Sequence, residues 1–481
     1  MGRNVLLLYM SIFNKNPKIR TQTQTNEGAV RYLIEEGETP DCILALCSER
    51  VRKEAKEMPD GSTRTTLEYF RDSFLPKVHI PAERLVVIEV PDSMDEETQF
   101  QAISQLLEKI EKEDTLFVDL SGGMRDVAML LVTVARCMRD LRDVQTRRVI
   151  CAELNNNEPV VRDRTQLYGL FDFVTAMDQF FSTGTAQKLE NYLRSEGEKD
   201  PVLHTLLTRI NQFSEDLALC RVRKLSDDLN QIDQALKETP EKSQNLTDLF
   251  FRMLKDRFST EFAELLSSGE KALPALVSWC AGHGMYQQAL TLLCEQMPEY
   301  VCQHLFVQPT PKGWDYLADQ KQNRGKPWVY PLFHFHFCRL TLLQKEYPYT
   351  TDLRLTLSRD DAEGNMLFGV ANDAEMHDYL DMVLASGQLV IDPAIRPQLE
   401  QAALHYQCVM QYRNQINHAS ASDLGLQSER VLPLDTEHIK ETLQKIAAYL
   451  HEIRPLKRNV PQGVKALPVT KTIPAGAVPN L

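Results

Sequence analysis

The first third of this chain alternates short apolar runs with segments of helical character, and that alternation constrains the fold more than any other feature. Val5 to Tyr9, Cys42 to Leu46, Leu85 to Val90 and Leu116 to Leu120 are apolar runs rich in Leu, Ile and Val. Between them lie Glu27 to Glu36, Thr65 to Phe74 and Thr98 to Lys112, which read as helices. Strands without a polar face are buried on both sides, and strands separated by helices are joined by crossovers that make them parallel. Arg148 to Leu154 and Pro159 to Asp163 flank Asn155-Asn156-Asn157-Glu158, a turn-forming sequence that predicts a hairpin at the sheet edge. The pattern predicts an α/β domain over residues 1–166, Rossmann-like in its layering.

In an open sheet of this kind ligands bind beyond the carboxyl ends of the strands. Three loops fall there. Leu120-Ser121-Gly122-Gly123-Met124-Arg125-Asp126 follows the fourth run and opens a helix. Its glycines let backbone approach a ligand, the free N–H groups of the helix start point at it, and Arg125 adds a charge. A tight turn whose glycines serve packing alone explains the same residues equally well. Neither G-x-G-x-x-G nor a Gly-Lys-Ser/Thr phosphate loop is present. Ser11 to Thr25 carries Ser11, Asn14, Lys15, Lys18, Arg20, Thr21, Gln22 and Thr23, and Ser48-Glu49-Arg50 follows the second run. Hydroxyls, amides and cations mixed in this way suit phosphates and base edges. Ser11, Asn14, Thr21, Thr23, Ser48, Ser121, Gly122, Gly123 and Arg125 are therefore the candidate ligand-binding residues.

The 481 residues exceed one ordinary core. Apolar residues spaced three and four apart, as in Leu203, Leu206, Leu207, Ile210, Phe213, Leu217 and Leu219, predict a helical connector over 167–300. Residues 301–454 form a further, mostly helical domain, in which Leu353 to Leu357 and Met366 to Val370 read as an inserted hairpin. Lys321 to Tyr330 interleaves basic and aromatic residues in a way that could hold single-stranded RNA, or is a basic loop around a partly buried Trp328. His334-Phe335-His336-Phe337-Cys338 would put three metal-ligating side chains on one face of a strand, but no second ligand pair stands nearby, so no metal is assigned. Residues 455–481 carry five prolines and four positive charges with no acids, which predicts a flexible arm or a clamp ordered on a partner. The ten cysteines lack C-x-x-C pairs and no run is long enough to span a bilayer, so a cytoplasmic protein away from membranes is expected. A net charge of -13 argues against a general nucleic-acid coat without excluding a local basic groove.

The densest cluster of chemistry is Tyr412-Arg413-Asn414-Gln415-Ile416-Asn417-His418-Ala419, near the end of an amphipathic segment from about Leu399 to Ser420. A permanent cation, the amides of Asn414 and Asn417 and an imidazole within six residues can polarise a phosphodiester and move a proton near neutral pH. At about 100° per residue, Arg413 shares a helix face with Asn417 and Asn414 with His418, whereas Arg413 and His418 point roughly 140° apart. One copy makes an awkward site. A two-fold dimer packing this helix against its mate would bring both pairs into one cleft.

Arg413-Asn414-x-x-Asn417-His418 resembles the R-x4-6-H motif of HEPN ribonucleases. Asp119-Leu120-Ser121-Gly122-Gly123-Met124-Arg125 after the fourth run, with Thr25-Asn26-Glu27-Gly28-Ala29-Val30-Arg31-Tyr32-Leu33 in the first helix, resembles the CARF domain of CRISPR-associated accessory proteins. Trp279-Cys280-Ala281-Gly282-His283-Gly284-Met285-Tyr286-Gln287-Gln288-Ala289 is similar to a segment often found between those two domains. CARF followed by HEPN is the layout of type III CRISPR accessory ribonucleases. The resemblance implies a homodimer that binds a cyclic oligoadenylate messenger as allosteric activator, uses no cofactor, and cuts single-stranded RNA without metal to leave a 2',3'-cyclic phosphate and a 5'-OH. His418 would be the general acid or base, Arg413 the charge stabiliser, Asn414 an orienting group and Asn417 a support. Some relatives also cleave their activator, and the sequence does not decide that point. Two other readings stay open: a nucleotide-sensing regulator whose HEPN part only dimerises or binds RNA, and a nucleotide-dependent metabolic enzyme, against which the missing fingerprints count.

Overall fold

The computed structural model describes residues 2–13, 24–58, 61–93, 95–123, 125–155, 158–196, 201–238, 246–268, 272–334, 370–417 and 432–475. The chain divides into two compact units, Met1–Val174 and Thr175–Leu481. The division falls inside the helix Thr165–Thr183, a few residues after the end of the sequence-based N-terminal domain.

In the first unit the strands are β1 (Asn4–Tyr9), β2 (Cys42–Cys47), β3 (Ala55–Glu57), β4 (Thr63–Thr65), β5 (Leu85–Glu89), β6 (Thr115–Asp119), β7 (Gln145–Asn155) and β8 (Glu158–Asp163). Six of them form one sheet in the order β5-β2-β1-β6-β7-β8. It is parallel except for the last pair, where β7 and β8 form the expected antiparallel hairpin with Asn155 opposite Glu158. The two-residue period of a strand sorts the apolar runs into two cores. Val5, Leu7, Leu44, Leu46, Leu116 and Val118 face the helices Glu96–Lys109 and Arg125–Arg142 through Leu106, Leu131 and Val134. Leu6, Leu8, Ile43, Ala45 and Phe117 face the opposite way, onto Ala29, Val30 and Leu33 of the helix Thr25–Glu35 and onto Phe70 and Phe74. That two-sided cover is why the runs show no polar alternation. β3 and β4 make a separate small hairpin.

The second unit is largely helical. The segment from Gln187 to His304 contains the helices Gln187–Glu196, Pro201–Ala218, Val222–Lys237, Leu246–Glu261, Ala263–Ser268, Leu273–Gly282 and Tyr286–His304. Leu206, Leu207, Ile210, Phe213 and Leu217 are buried as their spacing predicts. Leu219 is 61% exposed: two residues after Leu217 it falls on the opposite side of the helical period, and the helix has already ended at Ala218. Phe180, Phe213, Phe258, Phe262 and Trp279 form a continuous aromatic core, with the rings of Phe258 and Phe262 stacked 4.4 Å apart.

One buried polar pair in this bundle has a consequence for stability. Asp216 accepts hydrogen bonds from Gln212 (3.0 Å) and Arg221 (2.9 Å). Asp228 lies against Asp216, and burial first, then the neighbouring carboxylate, pushes its pKa up to about 6. A carboxyl whose folded pKa is raised gives stability that is fully present below its ordinary value near 3.8 and lost as the pH rises through about 6. Asp228→Asn is therefore expected to raise stability at pH 8 by about 2 kcal/mol and to flatten the pH dependence between about 4 and 6. Urea midpoints of both proteins at pH 5 and pH 8 test this, and equal gains at both values would contradict it.

The rest of the unit places the candidate catalytic helix. β9 (Val307–Pro309) pairs antiparallel with β10 (Leu389–Ile391). The helix Arg396–Asn417 packs on Tyr286–His304, and Thr436–Ile453 packs on Leu273–Gly282. The expected hairpin of Leu353 to Leu357 and Met366 to Val370 lies, apart from Val370, outside the described residues. The C-terminal segment differs from expectation. Through Pro474 and Ala475 it lies within the second unit as an extended strap, since its backbone finds partners there. Trp328 donates from Nε1 to the Pro468 carbonyl (2.9 Å) and from its backbone N to that of Lys471 (3.1 Å). Ile473 and Lys326 pair, and the Gln308 amide bonds both Lys465 O and Leu467 N. Trp328 is consequently fully buried. The basic and aromatic stretch around it is a strap seat in place of a stacking surface. Among the described residues no helix is long and apolar enough to cross a membrane.

Candidate functional site

At the carboxyl ends of β1 and β6 the loops are built around a buried carboxylate. Asp119, the last residue of β6, has no exposed surface. It accepts hydrogen bonds from Asn26 Nδ2 (2.7 Å), from the Ser121 backbone N (2.8 Å) and from the Ser121 hydroxyl. Burial pushes its pKa up to about 6, and the Ser121 and Asn26 bonds pull against that rise. Asn26 also donates to Tyr9 O (3.1 Å) and accepts from Ser11 N (2.7 Å). Ser11 Oγ takes the N–H of Thr25 (3.1 Å), and the Thr25 hydroxyl donates to Ser121 O (3.3 Å). Ser121 Oγ also receives the Ala152 N–H (2.6 Å). Three chain segments are thus tied to one carboxylate, which fixes the loop backbone before any ligand arrives.

The glycines follow from the same crowding. A Cβ on Gly122 would stand 2.0 Å from Tyr9 O, and one on Gly123, whose φ is +87°, would stand 2.7 Å from the Tyr9 ring. Gly122 is buried and Gly123 is exposed, so the first serves packing and the second presents backbone at the surface. Ser48 directly precedes the short helix Glu49–Lys53, is buried, and hydrogen-bonds with the Tyr9 hydroxyl and with Asp92. Ser11, Ser121, Gly122 and Gly123 therefore converge on the end of β1, with Ser48 joined to them through Tyr9. Asn14, Thr21 and Thr23 lie outside the described residues. Arg125 begins the helix Arg125–Arg142, and its side chain lies outside the described set. Tyr9, Asn26 and Asp119 organise the loops and were not singled out from sequence. Their signal was a carboxylate closing an otherwise apolar strand and an amide in the first turn of the facing helix. At the same edge Gln24 is fully buried, and its Nε2 has no hydrogen-bond partner among the described residues.

The second cluster lies at the end of the helix Arg396–Asn417. Arg396 anchors the start, bonded to Asp381 (2.6 Å), Glu400 (2.8 Å) and His377 O (3.1 Å). Leu399, Ala402, Ala403, Tyr406, Val409 and Tyr412 bury one face. Gln407, Gln411 and Gln415 continue it at four-residue spacing. Gln407 accepts the N–H of Ala371 (2.8 Å) and Gln411 that of Leu432 (3.0 Å), while Gln415 Oε1 is buried without a partner among the described residues. Arg413 and Asn414 are half-exposed and Asn417 is exposed, so the three are brought together on the last turns with Arg413 and Asn417 one turn apart. Asn417 Oδ1 accepts from Gln287 Nε2 (3.4 Å). Arg413 stands close enough to Cys294 that its charge opposes the upward shift that burial gives that thiol. Gln287 was not assigned from sequence. His418 lies outside the described residues, as do the four residues after His334 in the His334–Cys338 motif. Among the described residues no three His, Cys, Asp or Glu side chains gather as a metal-binding group.

Comparison with known proteins reaches one part of the chain. Residues 169–268 match the family described as CRISPR-associated protein MJ1674, second domain. The match lies within the 167–300 connector and spans roughly a fifth of the chain, and it supports the coarse part of the sequence reading, a CRISPR-associated protein. No curated protein matches the chain.

Proposed function

We propose that this chain is a metal-independent endoribonuclease that is switched on by a cyclic oligoadenylate in type III CRISPR defence. The observation that carries the proposal is the grouping of Arg413, Asn414 and Asn417 on the last turns of one helix, directly ahead of His418 in the sequence. A CRISPR-associated family match on the preceding helices supports it. In the proposed reaction the ribose 2'-OH attacks the adjacent phosphorus and the 5'-oxygen leaves, giving a 2',3'-cyclic phosphate and a 5'-OH. His418 moves the proton. Arg413 stabilises the charge gathered on phosphorus, as a fixed cation in a partly dry site does well. Asn414 orients the ring or the phosphate, and Asn417, tied to Gln287, supports Arg413. A homodimer completes the site by setting the Arg413 face of one copy against the Asn414 and His418 face of the other.

The messenger is assigned to the end of the N-terminal sheet, where Gly123 exposes backbone beside Ser121 and Ser11. Gating requires the messenger to bind the active arrangement more tightly than the inactive one. The test adds cyclic tri-, tetra- and hexa-adenylate separately to the protein with a fluorescently quenched single-stranded RNA. Cleavage that one ring switches on, that survives a chelator, and that a 2'-deoxy strand escapes is the expected result. A ring that binds without producing cleavage would instead make the chain a sensor.

A further inference from the structure

The strap that seats on Trp328 also roofs a cavity of about 570 Å³ in the second unit. Its walls include Trp314, Val390 and Leu467, and its charged groups include Lys465, Lys471 and Asp315. Trp314 projects from the helix Pro311–Asp319 and is half-buried, with the Lys471 ammonium 4.5 Å from its ring centre. Lys465 and Lys471 are both exposed. The cavity is held open by bonds that do not use these groups. Gln308 fixes the strap backbone at Lys465 and Leu467, and Trp328 fixes it at Pro468 and Lys471.

We infer that this cavity is a subsite for one nucleotide of single-stranded RNA, with the Trp314 indole stacking the base and Lys465 and Lys471 taking the flanking phosphates. The volume suits a nucleotide-sized ligand. An indole beside two ammonium groups is the combination that holds single strands without reading their sequence. Stacking on an aromatic ring is stronger than an exposed cation–π contact, so a base displaces the Lys471 ammonium from the ring and leaves it free for phosphate. Two positive charges against Asp315 leave the cavity net cationic in a chain whose overall charge is -13, which concentrates a polyanion there and not over the whole surface. The choice of RNA rests on the ribonuclease reading proposed above. Val390 lies a few residues before the helix Arg396–Asn417, and Arg413 is about 26 Å further along that helix at 1.5 Å per residue. A long strand can therefore engage both places and a dinucleotide cannot, so the subsite would retain substrate without taking part in the chemistry.

The experiment is a titration of the full chain with a 2'-O-methyl single-stranded RNA, which the proposed reaction cannot cut, read by tryptophan fluorescence. Trp279 and Trp328 are buried, so of the three tryptophans Trp314 reports a stacking base. Quenching is expected, and Trp314→Leu should remove it and weaken binding at least about tenfold. The double variant Lys465→Ala/Lys471→Ala should lower the slope of log affinity against log salt by about 1.4, since each phosphate contact on a single strand contributes about 0.7. Unchanged quenching in Trp314→Leu, or an unchanged slope in the lysine variant, overturns the subsite. Adenosine monophosphate binding as tightly as the strand would assign the cavity to a free nucleotide and overturn the polymer. Because the strand stays uncut, a protein that binds it here and never cleaves RNA would sink the ribonuclease reading and leave the subsite standing.

Discussion

Alanine at His418 is expected to lower activator-dependent RNA cleavage by about a hundredfold to ten-thousandfold, the range that a positioned general acid or base contributes. Arg413→Ala should cost about a hundredfold to a thousandfold, as loss of a charge-stabilising donor does. The double variant should fall little below the worse single one, because groups that act on one transition state are not additive. Arg413→Lys separates charge from geometry: an ammonium keeps the charge but loses the planar fork, and little activity should return. Arg413 is half-exposed with its charge near the helix end, so the urea midpoint of Arg413→Ala should match that of the wild type within about 0.5 kcal/mol. Activity lost together with stability would point to a structural role. Cleavage at the wild-type rate in either alanine variant would remove the proposed chemistry altogether.

Gly122→Ala should be among the most disruptive single-methyl additions in the first unit. The new Cβ would lie 2.0 Å from the Tyr9 carbonyl oxygen and 3.1 Å from Ser11 N, both backbone atoms of a strand end that cannot retreat without breaking the Asn26 and Asp119 bonds. A loss of about 3 kcal/mol in stability is expected, the upper end for overpacking a closed site. Gly37→Ala is the control for the backbone alone. Gly37, unlike Gly122, has a positive φ, +77°, and a Cβ there meets nothing within 4 Å among the described residues, so only a backbone penalty of about 1 kcal/mol applies. Denaturant midpoints of the two variants should differ by about 2 kcal/mol. Equal losses would mean that the close approach of Gly122 to Tyr9 is not what demands a glycine.

The sheet was legible because burial on both faces leaves a mark in sequence, a run such as Val5 to Tyr9 without polar alternation, and because the crossover helices between runs dictate parallel pairing. The helical connector was legible by spacing as far as Leu217. Leu219 does not fit, because it stands two residues after Leu217, off the face that the three-and-four spacing defines. The glycine loop was half legible: Gly122 and Gly123 announced a close approach but not its object, which is the end of β1 and the Tyr9 ring. The partnership of Asn26 and Asp119 was opaque because it spans 93 residues of sequence and depends on the start of the first helix meeting the end of β6. The strap was misread for the same reason. Its prolines and charges describe a segment that cannot order itself, and whether another part of the chain orders it is decided by Gln308 and Trp328, more than 130 residues earlier.

That strap bears on how the protein is made. A nascent chain emerges from its N-terminal end, so the first unit has all its strands long before residues 468–473 exist. Until those residues emerge, the Trp328 indole has no carbonyl to bond and no cover, and the seat it shares with Lys326 and Ile473 cannot close. The unit that carries Arg413 therefore reaches its final form only after residues 468–473 have been made. That order delays the finished form of the unit for which RNA cleavage is proposed until residue 473 has been made.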